Sequence, residues 1–290
     1  MQEFDFYTAA TLDELLRLLA QTGGRVIAGG TDALVQAQRG QLPASALVDA
    51  SRVRELRFIS EEGETVRIGA LTTYADMLAS PLLRDAAPAL VMAAMTVGAP
   101  QTRARGTLGG NIANASPAGD ALPPLLALDA AVRLVKLRGE RVLPLADVLC
   151  GPRQTCLEPG EIIHSVAFRR PPERTGAAFL KLGNRQGMAI AVVNAAVTLT
   201  LGSEGRIERA RVALGAVAPT PVRSPHAEAV LRGQLPSEEV FAAAGRAVLY
   251  DIAPISDVRG SAEYRRAAAV RLTARALRLA AQQIAAGVAV

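Results

Sequence analysis

The sequence predicts a mixed α+β fold divided into more than one domain. Its 290 residues exceed the usual length of one domain. Short apolar strands alternate with helices early in the chain, and two long strands followed by helices occupy its last part. Half of the residues are hydrophobic, which is enough to build a large core.

The start of the chain predicts a small β-α-β-α-β unit that begins with an apolar stretch at residues 4–7. A capping pattern at Thr11 opens a leucine-rich helix, and Gly23-Gly24 ends it. The elements predicted next are a buried strand over 25–28, a glycine-rich loop, a helix over 33–39 and a strand over 47–49.

The pattern after residue 57 predicts an α+β arrangement. Here we expect strands over 66–69, 131–137 and 162–168, and helices over 73–79, 89–97 and 122–128, with Pro81 closing the first of these helices. The polar stretch from Pro171 to Gly176 predicts a linker. Beyond it we expect strands over 177–182, 190–201 and 206–216, the last two forming a hairpin, and helices over 225–231, 237–249 and 261–286.

Two glycine-rich segments carry most of the functional information. Residues 26–32 contain Gly29-Gly30, and residues 107–114 contain Gly109-Gly110. Glycine tolerates positive φ and lets the backbone approach a ligand closely, and successive N–H groups in such a loop suit phosphate. Each segment alone could be an ordinary turn, but the two together suit a ligand with two phosphates, held from both sides.

Several common sites are absent from the sequence. It has no G-x-G-x-x-G and no G-x-x-x-x-G-K motif. The two histidines and two cysteines do not have zinc or iron–sulfur spacing. We expect His164 to be a core histidine, His226 to be exposed, and Cys150 and Cys156 to be ordinary thiols. No nucleophile elbow with a Ser-His-Asp order is present either, which excludes a serine hydrolase.

The charge and hydropathy of the chain exclude two further classes. The net charge is +5, but the arginines are scattered and only 3% of residues are aromatic, so nucleic-acid binding is not expected. No apolar run approaches the ~18 residues of a transmembrane helix. The acidic residues 1–5 do not resemble a signal peptide. With only two cysteines, we expect a cytoplasmic protein.

Five ordered segments carry a family resemblance. They are Ala-Gly-Gly-Thr-Asp at 28–32, the run from Gly106 to Asp120, Glu-Ile-Ile at 161–163, residues 179–185, and Asp-Val-Arg-Gly-Ser-x-x-Tyr-Arg at 257–265. Together they resemble the FAD-binding medium subunit of molybdenum-containing hydroxylases. This family is related to the flavin domain of xanthine dehydrogenase and to the medium subunit of aerobic carbon monoxide dehydrogenase.

The resemblance implies a set of cofactor-binding residues. Those expected to bind the diphosphate and ribityl region of FAD are Val26, Ile27, Ala28, Gly29, Gly30, Thr31, Asp32 and Ala33. Those expected to complete the phosphate site are Thr107, Gly109, Gly110, Asn111 and Asn114. Asp120 would accept hydrogen bonds from the cofactor, Val97 and Ile163 would line the flavin, and Lys181 would lie near it. No catalytic or metal-binding residue is predicted in this chain.

Without the resemblance, the same residues have plainer interpretations. Asp32 and Asp120 could each cap the helix that follows. Lys181 could be a solvated strand residue, and Val97 and Ile163 could belong to the core.

The resemblance also implies an architecture. It predicts a two-part FAD-binding domain of the vanillyl-alcohol-oxidase or PCMH type over residues 1–173, with parts at about 1–56 and 57–173. A smaller α+β domain of the CO dehydrogenase flavoprotein type, with a sheet and helices, would follow over 176–290.

The implied function is electron transfer within a complex. The expected partners are a large molybdopterin subunit and a small 2Fe-2S subunit, assembled as a dimer of heterotrimers. The flavin would collect electrons singly and pass them to an external acceptor. NAD, a quinone and oxygen all remain open as the acceptor, and the substrate would be set by another subunit.

One departure and three alternatives accompany this prediction. Ala189 stands where the family often has an aspartate, so flavin tuning or acceptor choice could differ. A self-contained FAD-dependent oxidase would also use glycine loops. A medium subunit like that of 4-hydroxybenzoyl-CoA reductase would carry a cysteine-rich insert, which two cysteines argue against. The last alternative is a scaffold subunit that has lost its flavin.

Overall fold

Three larger β-sheets and a two-stranded hairpin organise residues 3–286, the part of the chain that the computed structural model describes. The outermost residues of the two predicted domains, 1–2 and 287–290, lie outside the described residues. Within the described range, no helix combines the length and the apolar character needed to cross a membrane.

The first unit is a parallel sheet in the strand order β1-β3-β2. Its elements are β1 (Asp5–Thr8), α1 (Leu12–Thr22), β2 (Arg25–Ile27), α2 (Ala33–Gln38) and β3 (Ala46–Asp49). The Thr11 side chain accepts the N–H of Glu14 at the start of α1, and Gly23 ends this helix with a φ of 60°. The predicted β-α-β-α-β order is therefore confirmed.

The middle unit is an antiparallel sheet in the order β4-β5-β10-β6-β7, together with seven helices and a small hairpin. Its elements are β4 (Ile59–Glu62), β5 (Thr65–Gly69), α3 (Tyr74–Ala79), α4 (Pro81–Ala86), α5 (Pro88–Thr96), α6 (Pro100–Arg105), α7 (Leu108–Asn114), α8 (Leu122–Ala127), β6 (Ala131–Val135), β7 (Glu140–Pro144), α9 (Leu145–Val148), β8 (Leu149–Gly151), β9 (Gln154–Thr155) and β10 (Ile162–Arg169).

Proline marks helix starts in this unit. Pro81, Pro88 and Pro100 each occupy the first position of a helix, where the missing N–H costs no hydrogen bond. The expectation that Pro81 only closes the preceding helix was incomplete, because it also begins α4.

The third unit is an antiparallel sheet in the order β11-β12-β13-β14, followed by three helices. Its elements are β11 (Thr175–Gly183), β12 (Ala191–Leu201), β13 (Ile207–Gly215), β14 (Val222–Arg223), α10 (Pro225–Leu231), α11 (Glu238–Ala247) and α12 (Ala262–Ala286). The predicted hairpin of two long strands is confirmed as β12–β13. The predicted linker is shorter than expected, because Thr175 and Gly176 already belong to β11.

This four-stranded sheet is buried on both faces. Phe179 and Ala213 pack into the core of the middle unit, while their neighbours Ala178 and Val212 pack toward the helices of the third unit. Side chains alternate between the faces of a strand, and for that reason β12 is buried along nearly its whole length. The middle and third units thus share one core.

A buried arginine anchors α12 to the sheet. The Arg265 guanidinium is 2% exposed, and its Nη1 donates to the carbonyl oxygens of Val192 at 2.7 Å and Ala216 at 2.9 Å. Its Nη2 donates to Asp257 Oδ1 at 2.6 Å. The segment 257–265, which carries part of the family resemblance, therefore fixes the start of the last helix.

Candidate cofactor-binding site

The first glycine-rich segment connects β2 to α2 and lies against the second. A Cβ atom built on Gly29 would lie only 1.8 Å from the carbonyl oxygen of Arg105, so only glycine permits this approach. Gly30 has a φ of +73°, which a side chain would strain. The first segment is thus in close backbone contact with Arg105 and Gly106, the residues directly before the second segment.

This first segment carries a run of free hydrogen-bond donors. Among residues 3–286, the backbone N–H groups of the five residues 29–33 find no acceptor. Asp32 makes no capping bond to α2, so the interpretation of Asp32 as a simple helix cap is wrong. A run of unpaired N–H groups that leads into a helix suits a phosphate or diphosphate.

The second glycine-rich segment is a helix, α7, and not the loop that the sequence predicted. Thr107 caps it by accepting the N–H of Gly110 at 3.1 Å. The N–H groups of Leu108 and Gly109 donate to the carbonyls of Thr72 and Ala70. Because these donors are already used, side chains are what this segment can offer to a ligand.

Two asparagines of α7 differ in their partners. Asn111 Oδ1 is buried and accepts no hydrogen bond from any residue of the described range. Asn114 Oδ1 accepts from Gln36 Nε2 at 3.2 Å, which ties α7 to α2. A buried oxygen without a donor is costly, so a polar ligand beside Asn111 would complete its hydrogen bonding.

Glycine occupies the two positions 109 and 110 of α7 for different structural reasons. A Cβ atom on Gly109 would lie 2.6 Å from the Ala70 side chain, because the helix packs tightly against the end of β5. Gly110 is exposed and would meet only the Thr107 hydroxyl. Gly110 therefore keeps the surface of the helix open, whereas Gly109 serves packing.

Asp120 belongs to a buried polar cluster that joins the middle and third units. Its Oδ2 accepts from Lys181 Nζ at 2.5 Å, and its Oδ1 accepts from Asn194 Nδ2 at 2.9 Å. Lys181 also donates to the Thr96 carbonyl at 3.2 Å. Burial raises the pKa of Asp120, and the Lys181 charge opposes that rise.

Two simpler interpretations of these residues are therefore wrong. Asp120 does not cap α8, whose cap is Ala121 without a side-chain bond. Lys181 is not a solvated strand residue, since its side chain is 8% exposed and ion-paired.

The two apolar candidates occupy different surroundings. Ile163 is buried in β10, next to the irregular pairing between Ile163 and Ser165. Val97 is half-buried at the end of α5, and its carbonyl accepts from Arg103 at 3.1 Å. Val97 directly follows Thr96, so it lies one residue from the carbonyl that Lys181 contacts.

Tyr74 is a buried residue between the two segments that the sequence did not reveal. Its N–H donates to the Gly106 carbonyl at 3.2 Å, and its ring packs against Gly106. Burial, and then the charges of Asp120 and Asp32, raise the pKa of Tyr74, so its hydroxyl stays protonated. No sequence signal separates this tyrosine from an ordinary core residue.

The position of the expected family aspartate lies on a turn. Ala189 follows Met188, which has a φ of 52° and accepts a hydrogen bond from Arg185 Nη2 at 2.8 Å. The Ala189 Cβ lies against Gly183, at the end of β11. The turn is therefore built without a carboxylate at this position.

The remaining titratable candidates have structural surroundings. His164 is half-buried in β10, and burial lowers its pKa. His226 is exposed, as expected, and its Nδ1 lies 2.7 Å from Asp251 Oδ1. Residues 3–286 contain no group of three His, Cys, Asp or Glu side chains that could hold a metal ion.

Comparison with known proteins shows the family of the chain. Residues 2–170 match the family model described as the FAD binding domain in molybdopterin dehydrogenase, and residues 178–280 match the CO dehydrogenase flavoprotein C-terminal domain. The chain is 36% identical over 270 residues to the putative xanthine dehydrogenase FAD-binding subunit of Escherichia coli K12, covering 90% of this chain and 91% of the relative.

Two further similarities concern carbon monoxide dehydrogenase from Hydrogenophaga pseudoflava. The chain is 33% identical to its medium chain, with 96% of each chain covered. A solved structure of that enzyme, lacking the Mo-pyranopterin moiety, matches with a TM-score of 0.91 and 34% identity over 96% of this chain and 97% of that chain.

Fold, site and comparisons together define an FAD-binding oxidoreductase subunit. The chain belongs to the family of FAD-binding medium subunits of molybdenum hydroxylases. The predicted family, its two-domain α+β fold and its FAD cofactor are confirmed, and the comparisons do not favour a self-contained oxidase.

Proposed function

We propose that this chain holds one FAD without a covalent bond and transfers electrons from iron–sulfur clusters of a partner to an external acceptor. The observation that supports this best is the run of unpaired N–H groups at residues 29–33, together with the buried, unpartnered Asn111 Oδ1 on α7. These groups fit the diphosphate and polar parts of FAD, which carry negative charge and hydrogen-bonding atoms.

The residues of the site have distinct tasks in this proposal. The backbone of residues 29–33 binds the diphosphate, with Val26, Ile27 and Ala28 behind it, and Asn111 and Asn114 contact the cofactor from α7. The buried ion pair of Asp120 and Lys181 would place polar groups without a net charge near the flavin. When bound, FAD would supply the redox chemistry, and the residues of this chain would bind and orient it.

The electrons must come from another polypeptide. An iron–sulfur cluster needs about four cysteine ligands, and the chain has only Cys150 and Cys156. Cys150 is exposed, and burial raises the pKa of the half-buried Cys156, which disfavours a metal-binding thiolate at Cys156. We therefore infer a small 2Fe-2S partner and a large molybdopterin partner that oxidises the substrate.

The assembly, compartment and domain limits follow from the same reasoning. Relatives named as medium chains support an assembly with two other subunits, which we propose to be a dimer of heterotrimers in the cytoplasm. We place the domain boundary between residues 173 and 176, where β11 begins, because the two family models end and start on either side of it.

Cofactor content and co-purification test this function. The chain produced alone should bind one FAD per chain, and acid denaturation should release it intact as FAD. Affinity purification from the native source should recover two further subunits with iron, sulfide and molybdopterin. A lone chain that reduces dye with an organic substrate at full rate would instead support the oxidase, and a chain that cannot take up FAD would contradict the flavin function.

A further inference from the structure

Two residues other than glycine adopt a left-handed backbone conformation near the proposed cofactor site, and a backbone hydrogen bond joins them. Ala115, directly after α7, has a φ of 44°, and Arg153, in the turn between β8 and β9, has a φ of 59°. The N–H of Arg153 donates to the carbonyl of Ala115 at 3.0 Å. Glycine would adopt this conformation without cost, so an arginine here suggests a role for its side chain.

The contacts of its neighbours connect the turn at Arg153 to α2, the helix that follows the first glycine-rich segment. Asn114 precedes Ala115 and is hydrogen-bonded to Gln36 of α2 at 3.2 Å. The N–H of Gln36 in turn donates to the carbonyl of Asp32 at 3.0 Å. Arg153 is thus connected through α7 and α2 to the start of α2, where the unpaired N–H groups lie.

The charge of Arg153 is available to a ligand. The residue is exposed and forms no salt bridge within residues 3–286. Its positive charge nevertheless acts on Asp32, where it lowers the pKa against the larger opposite effect of burial. Lys181, by contrast, is neutralised by its contact with Asp120.

A cation is needed at this position. The carboxylate of Asp32 lies within the segment that offers its N–H groups to the diphosphate, and a carboxylate repels phosphate. Arginine presents a planar set of donors that matches phosphate oxygens and remains charged at any physiological pH. Arg153 can therefore offset the charges of Asp32 and of the diphosphate together.

We propose that Arg153 is a cofactor-binding residue that pairs with the diphosphate of FAD, so that the hairpin of β8 and β9 forms a third side of the site. This inference rests on the proposed function. It adds to the two glycine-rich segments a residue outside both of them.

The substitution Arg153→Gly tests the role of the side chain without disturbing the left-handed backbone at this position. Glycine keeps the left-handed turn, so the cofactor-free chain should melt at the same temperature as the wild type or above it. Its FAD affinity should fall about tenfold or more, as expected for losing a charge-assisted hydrogen bond. Arg153→Lys should retain part of the affinity, since it keeps the charge without the planar fork.

A control and two ligand fragments sharpen the test. Arg232→Ala removes the same charge from an exposed site after α10 and should bind FAD as the wild type does. By titration, Arg153→Gly should lose affinity for ADP, which carries a diphosphate, but not for riboflavin, which carries no phosphate.

The failures can be told apart. A wild-type chain that takes up no FAD would overturn the proposed function together with this inference. Normal FAD uptake with unchanged affinity in Arg153→Gly would overturn this inference alone. A lowered melting temperature, or an equal loss toward riboflavin, would also overturn it, because either result would give Arg153 a structural or flavin-end role.

Discussion

The glycines of the site have different physical roles. Gly29 permits contact between two backbones, Gly30 adopts positive φ, Gly109 packs against Ala70, and Gly110 leaves the surface of α7 open. Only the first two lie in the segment with unpaired N–H groups. Substitutions at the four glycines should therefore have different effects. Comparing the stability and the FAD affinity of the variants can distinguish backbone strain from loss of ligand binding.

Gly30→Val should abolish FAD binding while the fold is largely retained. A β-branched residue at a φ of +73° is strained by roughly 1–2 kcal/mol and obstructs the approach to phosphate. Gly63→Val is the matched control, because Gly63 has a φ of +59° and a Cβ atom added there would meet no atom within 4 Å. Both variants should lose stability in urea unfolding, Gly30→Val somewhat more because its Cβ atom would lie 2.8 Å from Leu34 Cδ1, but only Gly30→Val should lose FAD by fluorescence titration. Retention of FAD by Gly30→Val would place the diphosphate elsewhere.

At the scale of elements, α12 depends on ionic and backbone contacts at its first turn. Arg265 joins Asp257 to two carbonyl oxygens of the sheet, and Arg259 also contacts Asp257. The arginine fork makes these bonds in a buried position. Because the compact ammonium of lysine could not reach all three acceptors, this position requires arginine specifically.

The Asp257 contacts predict acid sensitivity. The guanidinium of Arg259, followed by that of Arg265, holds the pKa of Asp257 well below its usual range. In the unfolded chain this carboxylate takes up its proton near pH 4, before the folded chain does, so stability falls as the pH drops below about 4. Thermal melts of Asp257→Asn should show lower stability at pH 7 and a weaker decline toward pH 3. Asp13→Asn, at an exposed pair with Arg17, should keep the wild-type decline.

At the scale of the whole molecule, one shared core and one buried ion pair hold the middle and third units together. Phe179 and Ala213 extend from the last sheet into the core of the middle unit. Lys181 and Asp120 cross the same boundary, with Asn194 bonded to the carboxylate. The proposed cofactor site therefore draws on elements from both family domains.

Removing one partner of this pair should cost more stability than removing both. Lys181→Met leaves Asp120 buried without a counter-ion, and such a change typically costs about 3–5 kcal/mol. In chemical unfolding of the FAD-free chain, the double variant Asp120→Asn with Lys181→Met should regain much of that loss. Equal and additive effects of the two single changes would show that the pair is not coupled.

Short sequence patterns correctly predicted those helices and strands that are determined by interactions between residues close in sequence. The cap at Thr11, the glycine at 23 and the alternating strands of the last sheet lie where the sequence predicted them. The segment 108–114 was predicted as a loop because paired glycines among small polar residues are typical of a phosphate-binding turn, but carbonyls of Ala70 and Thr72 hold its first turn in place as a helix. Those contacts are distant in sequence, and local propensity cannot reveal them.

The site was predictable only in part for the same reason. Its glycines and asparagines stand in recognisable motifs, and their roles toward FAD remain predictions. Tyr74 and the proposed ligand Arg153 come close to these motifs only because α3 packs against α6 and the β8–β9 hairpin packs against the end of α7. The pairing of Asp120 with Lys181 likewise needs the third sheet to close on the middle unit.

Because the last sheet is buried on both faces, the protein should not fold as two separately expressed fragments. A cut in the short connection between β10 and β11 would leave each fragment with an uncovered apolar surface, so fragments 1–172 and 173–290 should aggregate when expressed separately. Expressed together, they should reassemble and recover the yellow colour of bound flavin. If each fragment were fused to one of two interacting proteins, association of those proteins would bring the fragments together. The shared core would then form, and bound flavin would report the association by its colour.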